Sequence, residues 1–362
     1  MNPSHSKPER VEKLRQLLEQ QGLDAILIGC SENRSYLSGF TGSDGYLLIS
    51  ARSALIATDF RYFEQTKRES PRFELLKLKG YGGKWLIEAA AQIASKKIGF
   101  EAVHLSFASY RSFVDAISAA AAPVELIPQT GLVESLRSIK DPDEIESISK
   151  AANLAHRAFT QFASELQEGM TEKQAAWHLE RTMRDMGSQN LPFEIIVASG
   201  PNAALPHARP SDRVIAAGEP VIVDFGARVD GYCSDITRTL WLGKADDRLI
   251  RANDIVFGAQ RTAIELIRAG MTGRLADKLA RTVIEHGGYG EAFGHGLGHG
   301  IGLETHEAPR LGPSSEDTLC DGMVFTVEPG VYFPDWGGVR IEDTVVMEGG
   351  KVKPLNRNAD AT

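Results

Sequence analysis

The chain has 362 residues, which is long enough for two domains at roughly 150 residues each. Its hydrophobic content of 42% and charged content of 24% are those of an ordinary folded protein, which excludes the disordered and fibrous classes. The formal net charge of -8 and the lack of any Lys/Arg run exclude a nucleic acid or an anionic membrane as partner, because both are bound through clustered basic residues.

The N-terminus and the apolar runs predict a protein that is neither exported nor anchored. Residues 1–22 contain no apolar core after their charges, unlike a secretory signal. The longest apolar runs, such as DAILIG and PVIVDFG, are strand-length and far shorter than the ~20 residues of a membrane helix. Cys30, Cys233 and Cys320 match no zinc or redox spacing and are interpreted as reduced thiols, so we expect a cytoplasmic protein.

Helical and strand patterns alternate through the first third of the chain. Apolar residues fall on one helical face between Val11 and Leu18, and AILIG, YLLIS and ALIAT are typical of buried strands. Two helix-then-strand pairs follow, KWLIEAAAQIA with KIGFE and SYRSFVDAI with VELIP. We therefore predict a smaller N-terminal α/β domain over residues 1–132.

A helix start signal marks the second predicted domain, residues 133–362. Asp141 is expected to cap this helix, with Pro142 in its first turn. Apolar residues then recur at steps of three and four from Ile145 to Leu166, which keeps them on one helical face. The pattern predicts a long helix at the start of this domain.

The second domain contains a weak internal repeat. Gly169-Met170-Thr171, followed by a helical stretch to Gly187, recurs as Gly270-Met271-Thr272, followed by another to Gly288. Further along, VIVDFG with GYCSDITRTL is echoed by FTVEPG with GVRIEDTVVM. We therefore predict an α+β domain of two similar helix-and-hairpin halves, related by a pseudo-twofold axis.

The first echoed strand pair is expected to place two aspartates on one face of a hairpin. A two-residue turn at Asp230-Gly231 would pair Asp224 with Thr237 and Asp235 with Gly226. Because strand side chains alternate between faces, both aspartates would then point the same way as diagonal neighbours.

The second strand pair is expected to do the same with two glutamates. If PDWGG forms the loop, Glu328 would pair with Thr344 and Glu342 with Gly330. Four carboxylates at close range would raise one another's pKa values unless a cation were present. Buried carboxylates are rare unless they are paired or metal-bound.

Two interpretations of the four acids remain open at this point. One is a metal site. The other is a buried salt-bridge network with Arg238 and Arg340.

Glycine and histidine dominate residues 293–307, which have the sequence FGHGLGHGIGLETHE. Glycine at every second position from Gly294 to Gly302 would leave one face of an extended segment bare, with His295 and His299 on the other. A bare face allows backbone or substrate to approach closely. A phosphate cradle is the competing interpretation, but no G-x-G-x-x-G register fits and no P-loop lysine follows.

These residues resemble the pita-bread metallopeptidases, and within them the proline-specific branch that contains aminopeptidase P and prolidase. The resemblance covers the whole chain and implies a C-terminal pita-bread catalytic domain. It includes a small N-terminal creatinase-like domain, for which YLSGFTGSDG and ATDFRYFEQ are characteristic. The family's metal ligands, in the order Asp, Asp, His, Glu, Glu, fall on Asp224, Asp235, His299, Glu328 and Glu342.

The resemblance implies two divalent metal ions. Asp235 and Glu342 would bridge them, with Asp224 on one ion and His299 and Glu328 on the other. One imidazole among carboxylates favours Mn²⁺, and Co²⁺ or Zn²⁺ is also compatible. A bridging hydroxide would attack the peptide bond, since bound metal lowers the pKa of water.

The same resemblance implies further catalytic residues. Glu328 would handle the proton of the attacking water. The histidines His207, His295 and His306 would steady substrate and intermediate, because an imidazole can act neutral or charged near pH 7. Arg340 would contact the site or the carboxyl end of the substrate.

The implied substrates are small peptides with proline at the second position, cleaved before that proline. The residues do not decide between an Xaa-Pro aminopeptidase and an Xaa-Pro dipeptidase. A homodimer is the habit of the family.

Two rival functions share the same fold. A methionine aminopeptidase-like enzyme would resemble the catalytic domain only, and such enzymes typically lack the histidine at His295 and the Arg-x-Glu at Arg340. A non-catalytic peptide- or protein-binding module would have lost metal ligands. Creatinase-like members share both domains yet do without metal. The complete ligand set argues against both of these metal-free alternatives.

Overall fold

The computed structural model describes residues 8–80 and 82–356. The chain divides into two compact units, Met1–Arg137 and Ser138–Thr362. No helix in the described ranges is both long enough and apolar enough to cross a membrane.

The first unit is built on a mixed six-stranded sheet flanked by helices. Its strands are β1 (Ala25–Ile28), β2 (Tyr46–Ser50), β3 (Ala54–Thr58), β4 (Glu74–Lys77), β5 (Lys97–Glu101) and β6 (Glu125–Gln129). Its helices are α1 (Pro8–Gln20), α2 (Ser31–Ser38), α3 (Phe63–Glu69), α4 (Lys84–Gln92), α5 (Phe107–Ala119) and α6 (Leu132–Ser138). The strand order is β4-β3-β2-β1-β5-β6, with β1 parallel to β5 and antiparallel to β2. The predicted α/β architecture is confirmed.

The second unit contains two helix pairs and a larger set of strands. The helices are α7 (Pro142–Glu165), α8 (Glu172–Asp185), α9 (Asp247–Leu266) and α10 (Gly273–His286). The strands are β7 (Ile196–Ser199), β8 (Val221–Phe225), β9 (Arg228–Val229), β10 (Tyr232–Cys233), β11 (Ile236–Leu240), β12 (Gly298–Gly300), β13 (Glu307–Leu311), β14 (Val324–Val327), β15 (Gly330–Phe333), β16 (Gly337–Arg340), β17 (Asp343–Glu348) and β18 (Lys351–Pro354). Short 3₁₀ helices cover Phe60–Tyr62, Gly200–Ala204 and Gly290–Ala292.

The predicted duplication is visible in the order of these elements. Helices α7 and α8 precede the sheet β11-β8-β7, and α9 and α10 precede the sheet β13-β12-β14-β17-β18. The side chains of Thr171 and Thr272 cap α8 and α10. Each threonine follows a glycine in the left-handed region, with φ of 92° at Gly169 and 89° at Gly270. The repeated Gly-Met-Thr sequence is therefore a repeated helix start.

Helix α7 begins where the sequence predicted. The side chain of Asp141 accepts hydrogen bonds from two backbone N–H groups, and the side chain of Glu144 bonds back to Asp141 N. This capping box satisfies backbone donors that the first turn would leave unpaired. The apolar face of α7, which includes Leu154 and Phe162, packs into the core of the first half.

The two halves meet where β11 lies against residues 340–342. Glu342 N donates to Thr237 O at 3.0 Å. Thr239 Oγ1 donates to Arg340 O at 2.9 Å, and Arg340 N approaches the same hydroxyl at 3.1 Å. This seam brings the two acidic strand pairs side by side.

The first hairpin has the predicted turn and register. Asp224 lies opposite Thr237, as expected. The turn residues Asp230 and Gly231 have φ of 51° and 85°, the left-handed values that a type I′ hairpin turn requires at both positions.

The predicted register of the second hairpin is wrong by two residues. Gly330 lies opposite Arg340 and not Glu342, and Thr344 lies opposite Thr326 and not Glu328. A shift of two residues keeps every side chain on its original face, because strand side chains alternate with a period of two. The expected grouping of the two glutamates is therefore unaffected.

The loop of this hairpin is shorter than the predicted PDWGG, because the two glycines belong to strand β16 and not to the loop. Phe333 pairs with Gly337, and Asp335 takes the left-handed turn position with φ of 63°. A Cβ atom at Gly337 would lie 2.8 Å from Gly200 O, and one at Gly338 would lie 2.4 Å from Ala203 O. Close approach of this neighbouring backbone keeps both glycines inside the strand.

Candidate active site

The residues singled out from the sequence line one cavity of the second unit, with a volume of about 390 Å³. Phe193, Ile196 and Pro206 add apolar wall to it. The sequence-predicted residues brought together here are Asp224, Asp235, His299, Glu328, Glu342, His207, His295, His306 and Arg340.

Three of these residues form the tightest cluster. One potential ligand atom from each of Asp235, His299 and Glu342 lies within 4.8 Å of the others. His299 Nε2 is also 3.3 Å from Glu328 Oε1. Asp224 lines the same cavity, and Arg340 Nη2 donates to its Oδ2 at 2.7 Å.

Strand alternation explains why Asp224 faces the cavity. Val221, Val223 and Phe225 of β8 are buried in the core formed with α7 and α8. Asp224 lies between two of them in sequence, so its side chain projects from the opposite face of the strand.

Two threonines orient carboxylates of the cluster, and the sequence interpretation missed them. Thr237 Oγ1 donates to Glu342 Oε2 at 2.6 Å, and Thr326 Oγ1 donates to Glu328 Oε1 at 3.1 Å. Thr326 lies two residues before Glu328 and shares its strand face. That spacing is the signal that could have identified it.

The glycines on either side of His299 lie directly against the backbone of neighbouring strands, which leaves no room for a side chain. A Cβ atom at Gly298 would lie 2.1 Å from Thr326 O, and one at Gly300 would lie 2.0 Å from Ala308 O. The two neighbouring strands therefore pack directly against β12. The bare face predicted for this segment is used for close strand packing.

Replacing Gly298 or Gly300 with alanine is expected to destabilise the fold by ~3 kcal/mol, because a methyl group would have to displace a backbone carbonyl. The measurement is the free energy of unfolding in denaturant for metal-free protein. Gly294→Ala is the matched control, since no described atom lies within 4 Å of a Cβ built there. Equal stability of Gly300→Ala and Gly294→Ala would contradict this packing.

Burial makes ionisation of the acidic cluster costly. Burial, and then repulsion by Glu342, raises the pKa of Asp235 well above its usual range. Burial, and then repulsion by Glu328, does the same to the pKa of Glu342. Burial raises the pKa of Glu328 to about 7. Protons and a cation would therefore compete for this cluster.

The donor set fits a divalent metal ion. Within the described ranges, no hydrogen-bond donor reaches the buried atoms Asp224 Oδ1, Asp235 Oδ1 or Glu342 Oε1. His299 Nδ1 donates to Gly300 O at 3.1 Å, which leaves the lone pair of Nε2 directed at the carboxylates. Burial lowers the pKa of His299, so this imidazole is neutral. Unpaired carboxylate oxygens and a free imidazole nitrogen are the ligands of first-row divalent metals.

The salt-bridge interpretation accounts for only part of the cluster. Arg340 pairs with one oxygen of Asp224. Arg238 pairs with Asp343 at 2.7 Å and donates to the backbone carbonyl of Glu342. The remaining carboxylate oxygens need another counter-charge.

Tyr332 is a cavity residue that the sequence interpretation did not single out. Its hydroxyl accepts from Arg340 Nη1 at 2.8 Å and lies 2.9 Å from His295 Nε2. His295 Nδ1 is 2.8 Å from Gly296 O, so Nδ1 carries the proton and Nε2 accepts from the tyrosine. Burial lowers the pKa of His295 to about 4 and raises that of Tyr332 to about 12. Both groups are therefore neutral over the physiological range.

The other two histidines border the cluster differently. The ring of His306 lies 4.2 Å from that of His299, centroid to centroid. Burial, and then repulsion by His299, lowers the pKa of His306 to about 4. His207 is exposed on the loop between β7 and β8, and Arg340 donates to the carbonyl of the adjacent Pro206 at 3.3 Å.

Comparison with known proteins gives matches over nearly the whole chain. The model of metallopeptidase family M24 matches residues 146–348, and that of the creatinase/prolidase N-terminal domain matches residues 10–139. The uncharacterized peptidase YqhT of Bacillus subtilis is 43% identical over 341 residues, which cover 93% of this chain and 95% of that protein.

Two solved structures are similar along their full length. The Xaa-Pro dipeptidase from Bacillus anthracis has 42% sequence identity and a TM-score of 0.93, over 96% of this chain and 97% of that one. The X-Pro aminopeptidase from Thermotoga maritima has 39% identity and a TM-score of 0.87, over 96% of this chain and 97% of that one.

Proposed function

Because the chain belongs to metallopeptidase family M24 and carries the creatinase/prolidase N-terminal domain, we propose that it is an Xaa-Pro peptidase working with two divalent metal ions. The observation that supports this most directly is the convergence of four carboxylates and one imidazole in a single cavity, with buried oxygens that lack partners among the described residues.

Five side chains are proposed to hold the ions. Asp235 and Glu342 would be shared between the two, Asp224 would serve one, and the other would be held by His299 and Glu328. Bound there, the ions would supply an activated water molecule and polarise the scissile carbonyl group. Mn²⁺ suits this set of ligands best, and Co²⁺ or Zn²⁺ would also suit it.

The remaining residues of the cavity are proposed to handle protons and substrate. Glu328 is proposed to accept the proton of the attacking water, because its carboxylate lies in the cavity beside the other proposed ligands. His207 and His306 would steady the substrate and the developing charge. Arg340 uses its donors on Asp224, Tyr332, Thr237 and the carbonyl of Pro206, so its proposed role is to hold the site in shape.

His295 is proposed to act through its partner. Its Nε2 is occupied by the hydroxyl of Tyr332, so the pair would present one fixed, neutral surface to the substrate.

The proposed substrates are small peptides with proline in second position. The Bacillus anthracis and Thermotoga maritima proteins differ in name, one a dipeptidase and the other an aminopeptidase, yet both resemble this chain closely. We further propose that the protein is a cytoplasmic homodimer. Size-exclusion chromatography with light scattering would measure the number of subunits.

The test uses protein reconstituted with Mn²⁺, Co²⁺ or Zn²⁺ and proline-containing peptides of two to five residues. Release of the first residue from Ala-Pro alone would identify a dipeptidase, and release from Ala-Pro-Ala and longer peptides an aminopeptidase. A protein that binds no metal and cleaves neither peptide would be a binding module. Cleavage of Met-Ala-Ala in preference to Ala-Pro-Ala would identify a methionine aminopeptidase-like enzyme.

Replacing His306 with alanine is expected to leave metal content unchanged and to lower kcat by ~100-fold, because the ring lies beside that of His299 in the cavity without being a proposed ligand. Metal analysis and steady-state kinetics measure the two quantities. His104→Ala in the first unit is the control, since it makes the same change outside the cavity. A loss of metal in His306→Ala would show that the residue supports the metal site.

A further inference from the structure

Glu172, the first residue of α8, is a buried carboxylate outside the proposed site. Its side chain is 0% exposed and accepts hydrogen bonds from both ends of one loop. Oε1 accepts from the backbone N–H of Ser199 at 2.7 Å and from its hydroxyl at 2.8 Å. Oε2 accepts from the backbone N–H of Ser211 at 3.0 Å and from its hydroxyl at 2.6 Å. Asn202 Nδ2 lies 3.1 Å from each oxygen.

The loop held in this way carries a histidine of the cavity. Residues 199–211 leave the end of β7, pass through the 3₁₀ helix Gly200–Ala204, and present Pro206 and His207 to the cavity. Ala203 and Ala208 pack the middle of the loop against Ile222. The carboxylate of Glu172 therefore closes the base of a loop whose tip contributes to the active site.

The second half of the duplication shows that a helix of this kind does not itself need the carboxylate. Glu172 N donates to Arg213 O, and in the same way Gly273 N, at the start of α10, donates to Asp317 O. The helix start in the second half has glycine at this position. There the loop is tied internally, by a hydrogen bond from Arg310 N to the side chain of Asp317.

The carboxylate is also ionised where it lies. Burial by itself would raise its pKa, but hydrogen bonds from Ser211 and Ser199 outweigh burial, and the pKa lies below its usual value. If glutamine replaced Glu172, its NH₂ group would face serine N–H and hydroxyl groups that now donate to the carboxylate. Those buried donors would then lack an acceptor. The charge is thus part of what holds the loop.

We propose that Glu172 is a positioning residue for catalysis, acting by holding the loop of residues 199–211 so that His207 faces the substrate. This inference rests on the proposed peptidase function. It predicts that the effect of Glu172 on turnover passes through His207 and leaves the metal ligands untouched.

The first test compares Glu172→Gln with Glu180→Gln in the metal-loaded full chain. Glu180 is the control because it lies on the same helix but does not contact the loop. Among the described residues, its side chain forms an ion pair with Arg184 at 2.9 Å. We expect Glu172→Gln to lower kcat/KM for Ala-Pro or Ala-Pro-Ala ~10- to 100-fold, with metal content unchanged. Backbone amide exchange should accelerate in residues 200–211 and remain unchanged in β11, β12 and β17. Glu180→Gln should match the unmodified protein in every respect.

The second test is a double-mutant cycle with His207→Ala. If Glu172 acts through His207, then Glu172→Gln should lower kcat/KM by less than ~3-fold in the His207→Ala variant. Multiplicative losses in the double variant would overturn the proposal, as would loss of metal or faster exchange throughout the second unit. Restoration of most activity by Glu172→Asp would support the need for a charge at this position.

The outcomes also separate this inference from the proposed function. If the unmodified protein cleaves neither peptide, the proposed function fails, while selective acceleration of exchange in residues 200–211 would still support the loop contact. If the peptides are cleaved and Glu172→Gln changes neither turnover nor exchange, the inference alone is overturned.

Discussion

Replacing Asp235 with asparagine is expected to abolish metal binding and peptidase activity together. The side chain is buried at the centre of the tightest cluster, beside His299 and Glu342. Removing a residue that only hydrogen-bonds to a metal ligand typically lowers metal affinity or activity by up to ~100-fold. Removing a proposed ligand shared by both ions should lower them further. Metal analysis after dialysis and steady-state kinetics would check the two losses.

The same variant is expected to be more stable than the unmodified protein when both lack metal. The pKa of Asp235 is raised in the folded state by burial and by Glu342, so its contribution to stability is lost as pH rises toward that folded-state pKa. The asparagine amide does not ionise, so its contribution to stability does not depend on pH. The gain in unfolding temperature should therefore be larger at pH 8 than at pH 5.

Asp212→Asn is the control, because that carboxylate is 84% exposed and pairs with Lys173 on the surface. It should retain metal, activity and unmodified stability. Full activity of Asp235→Asn with its metal retained would refute the ligand assignment. A lower unfolding temperature without metal would instead mean that the variant damages the fold.

Metal binding at pH 7 is expected to release protons, because burial and mutual repulsion favour the protonated carboxyl groups and a cation favours the ionised ones. The pKa values of Asp235 and Glu342 lie well above their usual range and that of Glu328 is about 7. The histidines contribute nothing, since their pKa values are lowered and they are neutral at this pH. Apparent metal affinity should therefore rise with pH near neutrality.

Titration calorimetry in two buffers of different ionisation enthalpy measures this release. The buffer-dependent part of the heat should shrink as pH rises and the cluster loses its protons before metal arrives. Heat that is the same in both buffers at pH 7 would show that the carboxylates are already ionised without metal. The titration is independent of any peptide substrate, so it tests the metal site alone.

The features that sequence could predict are those fixed by neighbours along the chain. The alternation around Asp224, the cap formed by Asp141 and the repeated threonines at 171 and 272 each depend on residues within a few positions. The fold class and the family were predicted from the resemblance of these motifs to a known family. Both are confirmed.

The features that sequence could not predict depend on contacts between distant segments. Tyr332 resembles any half-buried strand residue until Arg340 and His295 are placed against its hydroxyl. The register of the second hairpin depends on Gly337 and Gly338 being needed against the loop that follows β7. The roles of the site residues stay predictions until metal and substrate are measured.

The seam between β11 and residues 340–342 has a consequence for how the enzyme resists degradation. Proposed ligands from both halves lie across it, so neither half can open far without dismantling the proposed metal site. Ions that bind only the closed chain lower the population of opened forms in proportion to their occupancy. Since proteases cleave mainly those opened forms, the supply of metal would govern the lifetime of the chain as well as its turnover.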